Sequence, residues 1–256
     1  MWRWLWIGLM LIGTSGALAA SPATSPSSAQ PGALPASKDA ILIKSFAAEV
    51  NVGKENDIGV AETIKIQFTG AWEGIFRDYQ ISHTLDMIGN TPCKLTIKPA
   101  IASVTDERGK PLDYRLIDLP NVLRVSIDIP KAKDATRTVV IRYRVANAVN
   151  VSPNDDHKEL NWNVTGDGWE VPIETATARI NLPDKPQITN MQVYTGPAGS
   201  RFSQARIKRE GAKVEAATLQ QLAPKERLAV LISWNPGKQT TPKDTIIKQL
   251  PVHIKF

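Results

Sequence analysis

A single cysteine, Cys93, leaves this 256-residue sequence without any internal disulfide. The fold must therefore be held by its core alone, even in an oxidising compartment. Cys93 follows Pro92 and opens a strand-like run, and the nearest histidines are His83 and His157. That setting predicts a small buried hydrophobe in place of a reactive thiol. Histidine is scarce too, with three in the chain, so no paired-histidine metal motif can be drawn. There is no Gly-x-Ser-x-Gly elbow and no phosphate-cradling glycine loop. No window of twelve residues carries a helical apolar period, and past residue 20 no apolar run reaches the ~20 residues of a membrane-spanning helix. The common catalytic motifs and helical periodicity are thus absent from the sequence, although carboxylate-based catalysis on a β scaffold needs no such motif. No cofactor is implied.

The chain opens with Arg3, an apolar run over residues 4–12, and Ala17-Leu18-Ala19. That order predicts a signal peptide over residues 1–20, cleaved after Ala19 or Ala20, with an uncleaved anchor as the alternative. Residues 21–39 are Ser, Pro and Ala with almost no large apolar side chain. Such a segment cannot bury enough surface to offset its ordering entropy and is predicted to be a disordered linker. Residues 238–256 read as a basic tail, with Lys238, Lys243, Lys248 and Lys255.

Between these ends the apolar period is two. In Val60-Ala61-Glu62-Thr63-Ile64-Lys65-Ile66-Gln67-Phe68, residues Ile64, Ile66 and Phe68 share one face; Thr63, Lys65 and Gln67 share the other. The same signature recurs over residues 41–52, 95–104, 113–117, 122–129, 138–145, 160–164, 175–182, 191–195, 213–218 and 227–234. Turn residues separate many of these runs. Short strands at such intervals predict an all-β, antiparallel β-sandwich over residues 40–237, as a single domain.

Four stretches are distinctive when taken together. The first spans residues 46–68. The second is Gly74-Ile75-Phe76-Arg77-Asp78-Tyr79. The third begins at Tyr143-Arg144-Val145-Ala146-Asn147 and runs on to Trp162, Gly166, Trp169 and Pro172. The fourth is Tyr194-Thr195-Gly196-Pro197-Ala198-Gly199-Ser200. In this order they resemble the extracytoplasmic domain of bacterial predicted membrane proteins grouped as domain-of-unknown-function family 2207. That resemblance implies an exported β domain and names no reaction. Members of that family typically continue into a transmembrane helix. Membrane association is therefore expected if the signal stays uncleaved or if this sequence is part of an anchored form. The family usually has Tyr where this chain has Phe76.

Three groups are candidates for binding. Arg77, Asp78 and Tyr79 place a guanidinium among rings, either as an exposed anchor or as an ion pair fixing a strand edge, and the second is favoured. His157 follows Asp155 and Asp156, a grouping that suits a turn better than a metal shell. Trp162 and Trp169 flank Gly166 and Gly168, either as an aromatic platform or as a packed corner whose glycines supply positive φ; the corner is favoured. The expected partner is an envelope protein, a polymer or an anionic surface, the last two suited to the formal charge of +6, and with an export signal nucleic acid is not expected. The functional expectation is a non-catalytic interaction or sensing module of the cell envelope. The alternative is a glycan or peptide hydrolase drawing on carboxylates such as Asp155, Asp156, Glu170 and Glu174.

Overall fold

The computed structural model describes residues 40–86, 92–152, 157–183 and 185–236, with backbone alone for residues 82–86 and 92–96. The predicted signal peptide, linker and tail lie outside the described residues, as do Asp155, Asp156 and the side chain of Cys93. Sixteen strands account for the regular structure, and no helix occurs among the described residues. In chain order they are β1 (Ala40–Val52), β2 (Ile58–Thr69), β3 (Gly74–Gln80), β4 (Ser82–Asp86), β5 (Pro92–Thr96), β6 (Ala100–Asp106), β7 (Tyr114–Leu119) and β8 (Val122–Asp128). They continue as β9 (Thr136–Val145), β10 (Asn150–Val151), β11 (Lys158–Asn163), β12 (Ala176–Asn181), β13 (Gln187–Gly196), β14 (Ala205–Glu210), β15 (Lys213–Thr218) and β16 (Arg227–Asn235).

The strands form a seven-stranded sheet in the order β14-β15-β12-β1-β2-β9-β6 and a four-stranded sheet, β10-β11-β16-β13. A three-stranded sheet, β3-β8-β7, and the β4-β5 hairpin complete the set. The inner faces of the three larger sheets share one apolar core, with Phe46, Ile64, Ile127, Ile141, Leu160, Ile180 and Trp234 all buried. This is a sandwich-like all-β architecture, as the two-residue period predicts.

Two details depart from the sequence reading. Residues 95–104 divide between β5 and β6 around Pro99, because a proline has no N–H to give a ladder. The pairing of β1 with β12 is parallel. More than a hundred residues separate the two strands, so no tight reversal constrains their direction.

Near its start β1 carries a bulge. The register with β2 shifts between Ile43 and Ser45, so Ile43 and Phe46, three positions apart, both face inward. The extra residue opens the ladder to the chain arriving from the third family stretch. Ile43 N–H donates to Pro172 O (3.1 Å), Glu174 N–H to Ile43 O (2.8 Å) and Phe46 N–H to Thr175 O (2.9 Å). Lys44, displaced outward, pairs with Glu174.

Candidate functional site

On β3 the side chains alternate strictly. Ile75, Arg77 and Tyr79 point into the core, while Phe76 and Asp78 point to the opposite face. An arginine on the inward face must bring its counter-charge with it. Glu62 supplies it. On β2 this residue sits in step with Val60, Ile64 and Ile66, and it is 0% exposed against 2% for Arg77. Arg77 Nε and Nη2 donate to the two Glu62 oxygens at 2.9 and 2.8 Å, a bidentate pair. Tyr79 and Tyr143 donate their hydroxyls to the same carboxylate at 3.1 and 2.7 Å, so Glu62 accepts four hydrogen bonds.

Rings enclose the cation. The guanidinium carbon lies 4.3 Å from the Tyr79 ring centre, 5.5 Å from Phe46 and 5.8 Å from Trp169. Burial disfavours the charged guanidinium, but Glu62 more than offsets this and holds Arg77 above its ordinary pKa. Burial, reinforced by Glu62, also holds both tyrosine hydroxyls well above theirs.

The raised tyrosine pKa values set the sign of a pH dependence. Unfolded phenols ionise near pH ~10, whereas these two stay protonated in the folded chain. Above that pH the unfolded state binds fewer protons, so stability falls as pH rises. Thermal melts from pH 8 to 11 should show the midpoint dropping above pH ~10, with a shallower fall in Tyr143→Phe. Identical slopes in both proteins would contradict this assignment.

The third family stretch closes over the pair as a corner. Trp169 is 6% exposed, edge-on to Phe46 with ring centres 6.3 Å apart, and it donates its indole N–H to Thr165 O at 2.8 Å. Leu228 N–H donates to Thr165 Oγ1 (2.9 Å) and Lys225 N–H to Trp169 O (2.8 Å), fastening the corner to β16 and the turn before it. Gly166 has φ +73°, and a Cβ there would collide with the Arg77 guanidinium. Gly168 has no positive φ, which corrects the expectation for that glycine. Its small size is what counts, since a Cβ would lie 3.1 Å from Asp78 Cβ.

On the far side of β3 lies a groove of about 700 Å3. The outward faces of β3, β8 and β7 contribute Phe76, Ser126 and Ile117 to its floor, and Ile41, Trp72 and the corner residues 168–171 form the wall. Asp78 and Arg124 are locked together at 2.7 and 2.8 Å, with Arg124 lying 4.7 Å from the Phe76 ring centre. Lys225 pairs with Glu170 at the rim. The lining combines apolar surface with three cations, Arg115, Arg124 and Lys225, and two carboxylates, Asp78 and Glu170. A pocket of this size and mixture suits recognition of an amphipathic ligand.

The six residues singled out from sequence fall in four places. Arg77, Tyr79 and Trp169 meet in the buried cluster, Arg77 as a core ion pair and Trp169 also reaching the groove wall; Asp78 lines the groove. Trp162 is half-buried at the edge of the core, its indole N–H enclosed and without a partner. His157 stands apart, with Nδ1 2.9 Å from Asn235 Oδ1. No three His, Cys, Asp or Glu side chains gather as a metal site among the described residues. Glu170 and Glu174 do not converge, since each pairs with a different lysine, Lys225 and Lys44. Glu62 escaped the sequence reading, although a carboxylate in step with Val60 and Ile64 was its visible signal.

The backbone resembles parts of larger solved proteins. Yeast leukotriene A4 hydrolase in complex with bestatin superposes with a TM-score of 0.51 at 11% identity, over 79% of this chain and 31% of that one. The native yeast enzyme gives 0.51 and 11%, over 80% and 32%. An M1 zinc metallopeptidase from Deinococcus radiodurans gives 0.36 and 11%, over 82% and 45%. This chain thus spans about a third of the yeast hydrolases, and at such identity the likeness is one of fold alone. No curated protein matches the sequence. Residues 42–234 match the model described as the N-terminal domain of predicted membrane proteins (DUF2207). The four stretches that carry this resemblance include every residue of the Glu62, Arg77, Tyr79 and Tyr143 cluster, and the chain belongs to that family.

Proposed function

We propose that this chain is an exported, non-catalytic interaction or sensing module of the cell envelope, and that the groove over β3, β8 and β7 is its recognition surface. One observation carries the reading: the groove is a preformed, largely apolar cleft whose charges are arranged in ion pairs at its floor and rim. Asp78 is clamped by Arg124, and Glu170 is paired with Lys225. Carboxylates held in this way orient a ligand, whereas general acid–base work needs one that can exchange a proton with substrate. The hydrolase reading loses weight on the same ground. Membership in a predicted membrane protein family supports a place at the membrane, and the leader-like sequence of residues 1–20 supports export.

The test uses the immobilised full chain and a fractionated envelope extract. A component should be retained and recovered chemically unchanged. Trp72→Ala, which removes a wall of the groove, should weaken retention about tenfold, since aromatic anchors dominate such surfaces. Recovery of the component in cleaved form would replace this reading with the hydrolase. Retention indifferent to Trp72 would remove the groove from it.

A further inference from the structure

The strand bordering this groove has its other edge open. β7 lies at the margin of its sheet, and all six residues, Tyr114-Arg115-Leu116-Ile117-Asp118-Leu119, are exposed. Leu116 is 51% exposed and Ile117 40%, a concentration of apolar surface that a margin strand ordinarily avoids. The register fixes which backbone groups are available. Asp128 N–H donates to Asp113 O at 2.9 Å. With Arg115 opposite Ser126, Ile117 opposite Arg124 and Leu119 opposite Val122, the hydrogen-bonded pairs therefore fall at residues 113, 115, 117 and 119. Tyr114, Leu116 and Asp118 turn their N–H and C=O groups away from β8. Among the described residues no main-chain group pairs with them.

The same alternation aims Arg115, Ile117 and Leu119 over the groove. A strand laid along β7 would extend the rows Phe76–Ser126–Arg115 and Asp78–Arg124–Ile117 by one position. Every second side chain of that strand would then face the cleft.

On the reading that the groove is a recognition surface, we infer that its ligand is an extended polypeptide segment that adds to β7 as a fourth strand. Its alternate residues are apolar and fill the groove, with a carboxylate among them near Arg115. Backbone pairing supplies affinity, and the groove supplies side-chain selection. Six residues of β7 match a segment ~20 Å long. Three cations and two carboxylates line the groove. Arg115 also pairs with Asp128 at 3.9 Å, but across exposed surface, where such a pair is weak, so the lining favours an acidic side chain over a basic one.

A second copy of this chain fits poorly. A two-fold axis relating antiparallel margin strands keeps each face continuous with itself, so only residues on the same face can stand opposite one another. Arg115 and Asp118 lie on opposite faces and can never pair across such an interface. Registers centred on either residue set like charges together, and those centred on Leu116 or Ile117 gain no charge pairing within β7.

The test presents the full chain with a display library of random twelve-residue peptides. Enriched peptides should be apolar at every second position and carry a carboxylate. Methylating alternate backbone nitrogens of an enriched peptide, on the side that meets β7, should weaken its binding to the unaltered protein at least tenfold. Leu116→Pro removes an outward N–H that no strand of the chain uses, and it should have the same effect. Ile117→Glu, a change to an exposed side chain, should shift selection away from acidic peptides.

Enriched peptides without alternation, or affinity unmoved by N-methylation, would overturn strand addition. So would binding of anionic phosphatidylglycerol vesicles with no peptide enriched, or a dimer abolished by Leu116→Pro. Retention of an envelope component that responds to Trp72→Ala but not to Leu116→Pro or Ile117→Glu would overturn strand addition and leave the recognition role of the groove standing.

Discussion

Glu62→Gln is expected to cost about 3–5 kcal/mol, because it leaves the buried Arg77 guanidinium without its counter-charge. For a domain of this size that lowers the thermal midpoint by roughly 6–20 °C. The substitution nearly preserves volume, so the loss cannot come from a cavity. It comes from an arginine that is 2% exposed and surrounded by Phe46, Tyr79 and Trp169. Rings attract a cation, but they do not replace a bidentate carboxylate in a dry site. The pair should be far more costly to break than to remove. Glu62→Leu combined with Arg77→Met takes both charges away and should destabilise less than Glu62→Leu alone. Chemical denaturation of the three variants decides the matter. A double variant as unstable as the Glu62→Leu protein would show that shape, and not charge, governs this site.

Trp169→Ala should cost about 3–5 kcal/mol, the usual range for emptying a large aromatic site. Three losses combine there. The ring leaves its edge-on contact with Phe46, the indole no longer satisfies Thr165 O, and one wall around Arg77 disappears. Trp162→Ala is the control, and a smaller loss is expected because Trp162 is only half-buried and its N–H has no partner to lose. The ordering of the two tryptophans can be read from melting curves. Equal destabilisation would mean that the corner is held mainly by its backbone bonds to β16. Trp169 also lines the groove, so its loss should loosen ligand retention along with the fold.

The strands were largely legible because their residues alternate. β15 occupies the predicted residues 213–218, and β2, β8, β9 and β16 lie within a residue or two of the predicted runs. The two-residue period reports which side chains share a face, a local property of an extended backbone. The same period places Glu62 in step with Val60 and Ile64, a signal that the sequence reading passed over. What it could not mark was the company Glu62 keeps, since Arg77 is 15 residues away and Tyr143 is 81. Periodicity says nothing about which strands stack. β3 was recognisable as a motif and its arginine read better as an ion pair than as a surface anchor, but the partner stayed unnamed until the strand opposite was known. The corner glycines show the same limit from the other side. Positive φ at Gly166 is a local demand that a turn motif announces. The need for Gly168 arises from Asp78, ninety residues earlier in the chain.

The sequence by itself determined that this protein is all-β, that its core carries no disulfide, and that four ordered stretches mark its family. Each follows from composition or from the two-residue period, properties set by neighbours along the chain. The tertiary structure decided that those stretches meet around one buried ion pair, and that a groove bounded by an open strand lies behind it. Both bring together residues far apart in the chain, Glu62 and Tyr143 around the ion pair and Ile41 and Lys225 in the groove lining. Burying a charge is tolerable only when its partner arrives from elsewhere in the fold, and a cleft exists only where separate sheets fail to close.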